Sequence, residues 1–310
     1  MPYSEQMYLA HYGLAEAPFA ITPDPRFVFL SERHRDALAH LMYGIGQGGS
    51  GGFVQLTGEV GTGKTTLSRL VLEQLPANVR VALVLNPKQT PLELLETICE
   101  ELHVELPGKR RSMKVQVDVL SFYLLQAYGE GLRVVLILDE AQELSRECLE
   151  QVRLLTNLET ASQKLLQIVL LGQPELREMT SRPSMQQLAQ RITARYHLMP
   201  LDLPDTDAYL RHRFMIAGGS VFPFEAAAVR RLHALSGGVP RLLNVLGERS
   251  LLAGYVHGKA RIDVALVELA AKEVLAPESR QQRWRRWALG AAAALALVAV
   301  GLWLRRTGAF

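Results

Sequence analysis

The chain has 310 residues, 48% hydrophobic and 21% charged, which excludes a disordered or fibrous class and leaves room for one large or two modest domains. Its formal charge of +3 hides an asymmetry, because residues 280–310 carry six arginines and no acid, leaving 28 basic against 31 acidic side chains in residues 1–279. The pI of 8.9 therefore comes from the tail and gives the slightly acidic body no argument for bulk nucleic-acid binding.

The N-terminus lacks a basic segment followed by an apolar one, so no cleavable signal peptide is expected. Residues 1–30 are rich in aromatics and prolines, among them Tyr8, Pro18, Phe19, Pro25 and Phe29. They are expected as an extended N-terminal segment packed on a domain, not as a regular element. Ser31 is a candidate cap for a helix from Glu32 to about Gly44, with Ala37, Leu38, Leu41 and Met42 at helical spacing. Gly44 to Gly52 reads as a flexible linker.

An apolar run, Phe53 to Thr57, leads into Gly58-Glu59-Val60-Gly61-Thr62-Gly63-Lys64-Thr65, and Thr66 to Glu73 is helix-compatible. The pattern G-x-x-x-x-G-K-[ST] between a strand and a helix is that of a phosphate-binding loop. Glycines let backbone N–H groups turn inward around phosphate oxygens, and the next helix offers its positive end. Lys64 is placed for the β- and γ-phosphates of ATP and Thr65 for Mg²⁺, with Thr66 completing the binding set.

Arg80 to Leu85 reads as a second buried strand, followed by helical patterns from Pro91 to His103 and from Lys114 to Tyr128. The link between them holds Lys109-Arg110-Arg111, a solvated loop by default. Cys99 and Cys148 stand apart with no metal spacing and read as buried thiols of a reducing cytosol. Leu132 to Leu138 is a third strand that ends in Asp139-Glu140. Carboxylates closing a buried strand need a reason, and Mg²⁺ for Asp139 with an activated water for Glu140 supplies one. A helix from Ser145 to Glu159 and a fourth strand from Leu165 to Leu171 follow, then Gln173, placed either to meet the γ-phosphate or as a simple turn residue. Gln187 to Leu201 holds Arg191 and Arg195 before a strand-like end from Tyr196.

Strand-type sequence stops near Leu203, and residues 204–276 read as an all-helical unit. Its helices open at Pro204-Asp205, at Phe224, after Ser236-Gly237-Gly238-Val239-Pro240-Arg241, and at Ile262-Asp263. A basic linker, residues 277–286, precedes Trp287 to Leu304, 18 uncharged residues that suffice for a transmembrane helix, with Trp284, Trp287 and Trp303 at its ends. Four arginines before it and two after it, in the 305–310 tail, orient residues 1–286 to the cytoplasm.

Together these segments resemble the AAA+ ATPases, and more closely the ExeA/GspA family of secretion ATPases, which includes those of mannose-sensitive pilus and exopolysaccharide loci. The resemblance spans about residues 7–275 and rests on Met7-Tyr8, Tyr12-Gly13-Leu14, Pro23-Asp24-Pro25, the Gly58–Thr66 loop, Leu138-Asp139-Glu140-Ala141-Gln142, Asn157-Leu158-Glu159-Thr160, Gly172-Gln173-Pro174-Glu175-Leu176, Gln190-Arg191-Ile192 and Gly238-Val239-Pro240-Arg241. It implies an α/β P-loop core at 31–203, a helical lid at 204–276, and ATP hydrolysis with Mg²⁺. It implies that Arg241 senses the γ-phosphate and that Arg191 or Arg195 is a finger donated to a neighbour in a homo-oligomer. Gln173 stands at the sensor position, where AAA+ proteins more often carry Asn, Ser or Thr.

The expected setting is the bacterial inner membrane, crossed once, with inner-membrane secretion, pilus or polysaccharide-export components as partners. Family members often continue into a peptidoglycan-binding domain; ending at Phe310, the chain is expected to be a short form, a truncated one, or one relying on a partner for wall contact. A DNA-handling ATPase of the transposition or loader type shares this core, but the membrane span and acidic body argue against nucleic acid as a partner. A slow nucleotide switch or scaffold is the other alternative.

Overall fold

Five strands build one parallel sheet: β1 (Phe53–Gly58), β2 (Val79–Val84), β3 (Arg133–Leu138), β4 (Leu166–Gly172) and β5 (Ile192–Leu198). The computed structural model describes residues 3–275 except 23, 47–51, 107, 109–111 and 161–162, and the side chains from residue 7 onward. The strand order is β2-β3-β4-β1-β5, with every pairing parallel. The three central strands are buried almost throughout, while the edge strands β2 and β5 alternate with exposed positions. Burial on both faces explains why β1, β3 and β4 are mostly apolar, with Gln55, Thr57 and Gln167 the buried polar exceptions.

The helices are α1 (Tyr3–Tyr12), α2 (Glu32–Gly46), α3 (Lys64–Gln74), α4 (Pro91–Glu101), α5 (Met113–Gly129), α6 (Arg146–Leu155), α7 (Pro174–Thr180), α8 (Gln186–Ala189), α9 (Leu203–Ile216), α10 (Ala226–Ser236), α11 (Pro240–Val256) and α12 (Val264–Val274). Period-2 alternation along the strands sends Leu136, Leu138, Ile168 and Leu170 into one core with α4, α5, α6, α7 and α8. Val54, Leu56, Val135, Ile137, Val169 and Leu171 face the opposite core, with α2 and α3. Each such buried side chain contributes about 1.5–3 kcal/mol. Caps mark several helix starts. Thr90 and Glu93 form a reciprocal capping box on α4, and Ser112, Ser145, Asp202 and Asp263 each accept from an orphan N–H of α5, α6, α9 or α12.

Three differences from the sequence expectations have local causes. The N-terminal segment is not simply extended: α1 occupies Tyr3–Tyr12, a stretch free of proline and glycine. It stops at Gly13, at φ 66, where Leu14 N–H donates to the Leu9 carbonyl at 2.8 Å. A second short turn, Pro25–Phe27, is capped by the Asp24 side chain. Next, α6 ends at Leu155 and not Glu159, because the Thr156 hydroxyl turns back onto the Arg153 carbonyl at 2.7 Å. Finally, β5 starts at Ile192, four residues before Tyr196, because pairing with β1 from Phe53 onward outweighs the polar character of Thr193 and Arg195.

The third core joins α9–α12 to the N-terminal segment. Tyr8, Leu14, Phe19 and Phe27 bury against Leu210, Phe214, Leu243, Leu246 and Leu266. The apolar stretch Trp287–Leu304 lies outside the described residues; among those that are described, no helix is long and apolar enough to cross a membrane.

Candidate functional site

Strand order assembles the site. The loop after β1, the turn after β3 and the turn after β4 all open on the C-terminal edge of the sheet. Because β4 lies between β3 and β1, the β4 turn stands between the other two.

The Gly58–Thr65 loop has the shape its glycines allow. Gly61 sits at φ 83 and Gly63 at φ 106, the latter capping α3 in the left-handed region. The Thr62 hydroxyl donates to the Glu59 carbonyl at 2.8 Å and holds the curl. The Lys64 ammonium, only 5% exposed, donates to the Gly58 carbonyl at 2.8 Å and the Glu59 carbonyl at 3.0 Å. Burial lowers its pKa, and the nearby carboxylates, Glu140 foremost, oppose that effect.

Thr65 and Asp139 meet directly, with the Thr65 hydroxyl donating to Asp139 Oδ2 at 3.0 Å. A hydroxyl and a buried carboxylate side by side are hard oxygen donors of the kind Mg²⁺ takes. Asp139 Oδ1 also accepts the Glu140 N–H at 2.9 Å. Glu140 has φ 49, a conformation that side-chain-bearing residues seldom adopt, and the residue lines the cavity beside the loop.

Two glutamines grip that carboxylate. Gln142 Nε2 donates to Glu140 Oε2 at 2.6 Å and Gln173 Nε2 donates to the same oxygen at 3.1 Å. Burial raises the Glu140 pKa, but these two hydrogen bonds and the Lys64 charge more than offset it and leave it below the ordinary range. Gln173 is thus next to the Glu140 carboxylate, and Gln142, which carried no site role in the sequence, joins it.

The helical unit closes over the loop. Arg241 N–H donates to the Gly61 carbonyl at 3.3 Å. A cavity of about 450 Å³ lies between the two, lined by Val60 to Thr66, Glu140, Arg241 and Asn244, with Ile21, Phe27 and Phe29 of the N-terminal segment as an apolar wall. That volume and its mix of apolar wall and convergent polar groups suit a small ligand. The other predicted residues do not line the cavity: the Gly58 and Glu59 carbonyls hold the Lys64 ammonium, Asp139 contacts Thr65, and Gln173 contacts Glu140.

Arg191 and Arg195 lie elsewhere. Arg191 Nη1 donates to Thr156 Oγ1 at 2.5 Å and to the Arg153 carbonyl at 3.3 Å. Arg195, exposed in edge strand β5, donates to the Ala189 carbonyl at 2.8 Å. Neither lines the cavity of its own chain.

His34 is a second residue without a sequence signal. Buried on α2, its Nε2–H donates to the Thr62 carbonyl at 3.0 Å while Nδ1 accepts the Ser31 hydroxyl at 2.7 Å. Burial lowers its pKa, which keeps this neutral tautomer in place.

Comparison with known proteins agrees with this geometry. Residues 47–180 match the AAA domain family. General secretion pathway protein A of Aeromonas hydrophila is 48% identical over 298 residues, 96% of this chain; the chain spans 54% of that protein's length. Cdc6p of Pyrobaculum aerophilum superposes with a TM-score of 0.64 at 18% identity, covering 83% of this chain and 70% of its own. A subunit of Drosophila ORC bound to DNA gives 0.65 at 18% identity, covering 91% and 69%. At those identities the structural likenesses speak for the fold alone.

Proposed function

The chain belongs to the ExeA/GspA family of AAA+ ATPases, and from that premise we propose that it is a membrane-anchored ATPase whose turnover drives assembly or operation of a bacterial envelope machine, a type II secretion or pilus apparatus in the first instance. The observation that carries the hydrolytic part is the convergence of Lys64, Thr65, Asp139, Glu140 and Gln173 on one edge of the sheet. The anchor rests on the uncharged run Trp287–Leu304 with arginines on both sides.

ATP fits the cavity by the same logic. The loop backbone at Gly61 and Gly63 cradles phosphate, and the Lys64 ammonium, held on two carbonyls, has only to exchange them for phosphate oxygens. Thr65 and Asp139 are the residues that would hold Mg²⁺, which supplies charge neutralisation on the phosphates when bound. Glu140 orients a water and takes its proton, with Gln173 beside it. Arg241 binds from the helical unit, and Arg191 or Arg195 would act on a neighbouring subunit's nucleotide in a homo-oligomer.

The test pairs two variants of the full chain. Glu140→Gln is expected to lose at least about 100-fold in ATP turnover, to stay in the membrane fraction, and to abolish secretion or pilus assembly in the cell. Deletion of 287–304 is expected to release an active ATPase from that fraction. An inactive Glu140→Gln chain that still supports assembly would refute the energy-transducing role, and a deletion chain that stays with the membranes would refute the anchor.

A further inference from the structure

Gln142 makes two hydrogen bonds with the two ends of one amide. Its Nε2 donates to Glu140 Oε2 at 2.6 Å, and its Oε1 accepts the backbone N–H of Gln173 at 3.0 Å. The first bond holds a carboxylate at the end of β3. The second holds the backbone at the end of β4, where the side chain of Gln173 returns to the same Glu140 oxygen at 3.1 Å. Three residues thus close a ring across two neighbouring strands, with the Gln142 amide as the crosspiece.

The setting leaves that amide little choice. Gln142 lies in the short turn Ala141–Glu143, half-buried, with Ala141 wholly buried beneath it. On the β4 side the ring needs Gly172: a Cβ there would sit 2.8 Å from Gln142 Oε1 and 2.8 Å from Leu176 Cδ2. Any side chain at 172 would push the amide out or displace Leu176. An amide suits the position because its two ends offer, on separate atoms, a donor to a carboxylate and an acceptor to a backbone N–H.

We propose that Gln142 is a positioning residue for ATP hydrolysis: it aims Glu140 and couples its placement to the end of β4, so that Glu140, Gln142 and Gln173 act as one unit. This rests on Glu140 being the group that activates water. With Glu140 already at φ 49, its backbone leaves the carboxylate direction to be fixed by side-chain partners, and Gln142 is the nearer of the two. Where a γ-phosphate or water draws the Gln173 side chain away, its bond to Glu140 goes with it, and the Gln142 bond then keeps the carboxylate aimed.

The test uses the full-length chain and four measurements: kcat, KM for ATP, equilibrium binding of a slowly hydrolysed ATP analogue, and Tm. Gln142→Met keeps the length of the side chain and removes both bonds. Gln142→Glu keeps the acceptor for Gln173 N–H but sets a second carboxylate against Glu140 in place of the donor. Both are expected to lower kcat about 10- to 100-fold while analogue binding stays within about twofold, which also shows that each variant is folded. Gln142→Met combined with Gln173→Met is expected to lose little more than the worse single variant, as residues acting as a unit do. Unchanged kcat in Gln142→Glu, or full additivity in the double variant, would overturn the proposal, as would a loss confined to KM or to thermal stability. Glu140→Gln run beside them separates the two readings: if it turns over ATP like the wild type, the role of Glu140 is wrong, whereas an inactive Glu140→Gln beside an unimpaired Gln142→Glu sinks only the role of Gln142.

Discussion

Gly61→Ala should weaken nucleotide binding by holding the helical unit off the phosphate loop. A Cβ built on Gly61 lies 2.6 Å from Arg241 Cβ and 3.2 Å from Val239 Cγ1. Carbon atoms rest about 3.5–4.0 Å apart, so the start of α11 must retreat by about 1 Å. Such overpacking costs about 1–3 kcal/mol, which corresponds to roughly a 5- to 150-fold loss in affinity if the closed arrangement is the one that binds. The Gly61 φ of 83 adds about 1–2 kcal/mol of backbone strain, felt in stability whether or not the site is closed. Gly58→Ala is the comparison. Its Cβ would lie 2.7 Å from the Leu198 carbonyl, backbone of the adjacent strand that cannot retreat without breaking the sheet, with a lesser contact of 3.0 Å to the Thr62 hydroxyl, and it does not touch the helical unit. Calorimetric titration with an ATP analogue and thermal unfolding of both variants separate the effects: Gly61→Ala loses affinity with a modest fall in Tm, Gly58→Ala loses mainly Tm. If Gly61→Ala binds within twofold of wild type, contact between Arg241 and the loop does not contribute to binding and the closure argument fails.

Two further outcomes follow from the geometry. His34 has a folded pKa below its unfolded value, so the folded chain binds fewer protons in that window, and the stabilisation is fully present above about pH 6.5 and lost as pH falls through the folded value. The Tm of the wild type should therefore fall more steeply from pH 8 to pH 5 than that of His34→Gln, and parallel slopes would remove His34 from the account. Arg191 is committed to Thr156 and Arg153 of its own chain, whereas Arg195 makes one exposed bond, so Arg195→Ala should lower turnover tenfold or more with little change in Tm, while Arg191→Ala lowers Tm. Mixing Arg195→Ala with Lys64→Ala chains should restore part of the turnover if the finger acts between subunits, and two inactive chains that stay inactive together would argue against it.

The residues visible in the sequence share one property: their chemistry is local in the chain. The Gly58–Thr65 loop carries its own strand, turn and helix, so its spacing alone fixed its conformation. Asp139 and Glu140 stood out because two acids closed a run of buried aliphatics. Gln142 and His34 could not be singled out this way. The role of Gln142 depends on β4 lying beside β3, a pairing no short window contains, and on the missing side chain of Gly172, 30 residues away. His34 reaches Thr62 only because α2 packs across β1 and α3. The proline and aromatic content of residues 1–30 pointed away from helix, while residues 3–12, which hold neither proline nor glycine, formed one.

What joins these pieces is the placement of the N-terminal segment. It precedes the sheet in sequence but packs with the helical unit that follows it. Ala15 N–H donates to the Ala217 carbonyl at 2.8 Å, and Phe19 lies against Gly247. Arg213, 8% exposed, donates to the Pro18 carbonyl at 2.6 Å and the Ala20 carbonyl at 3.0 Å, with its guanidinium 4.9 Å from the Phe27 ring centroid. Among the described residues it has no ion pair, so carbonyl oxygens and an aromatic face carry the burial of this charge. Two stretches therefore cross the cleft, one entering α2 through Leu30-Ser31 and one leaving β5 through Met199–Asp202, and Arg33 ties them with a 2.8 Å bond to the Pro200 carbonyl. An opening of the cavity has to turn about both crossings together. The first of them ends on Ser31, which holds His34, which holds the Thr62 carbonyl of the phosphate loop. A rotation of the helical unit is thus delivered to the loop from two sides, through Arg241 on Gly61 and through Ser31 and His34 on Thr62, and this double contact is a physical route by which the state of the nucleotide can move the unit to which the rest of the chain is attached.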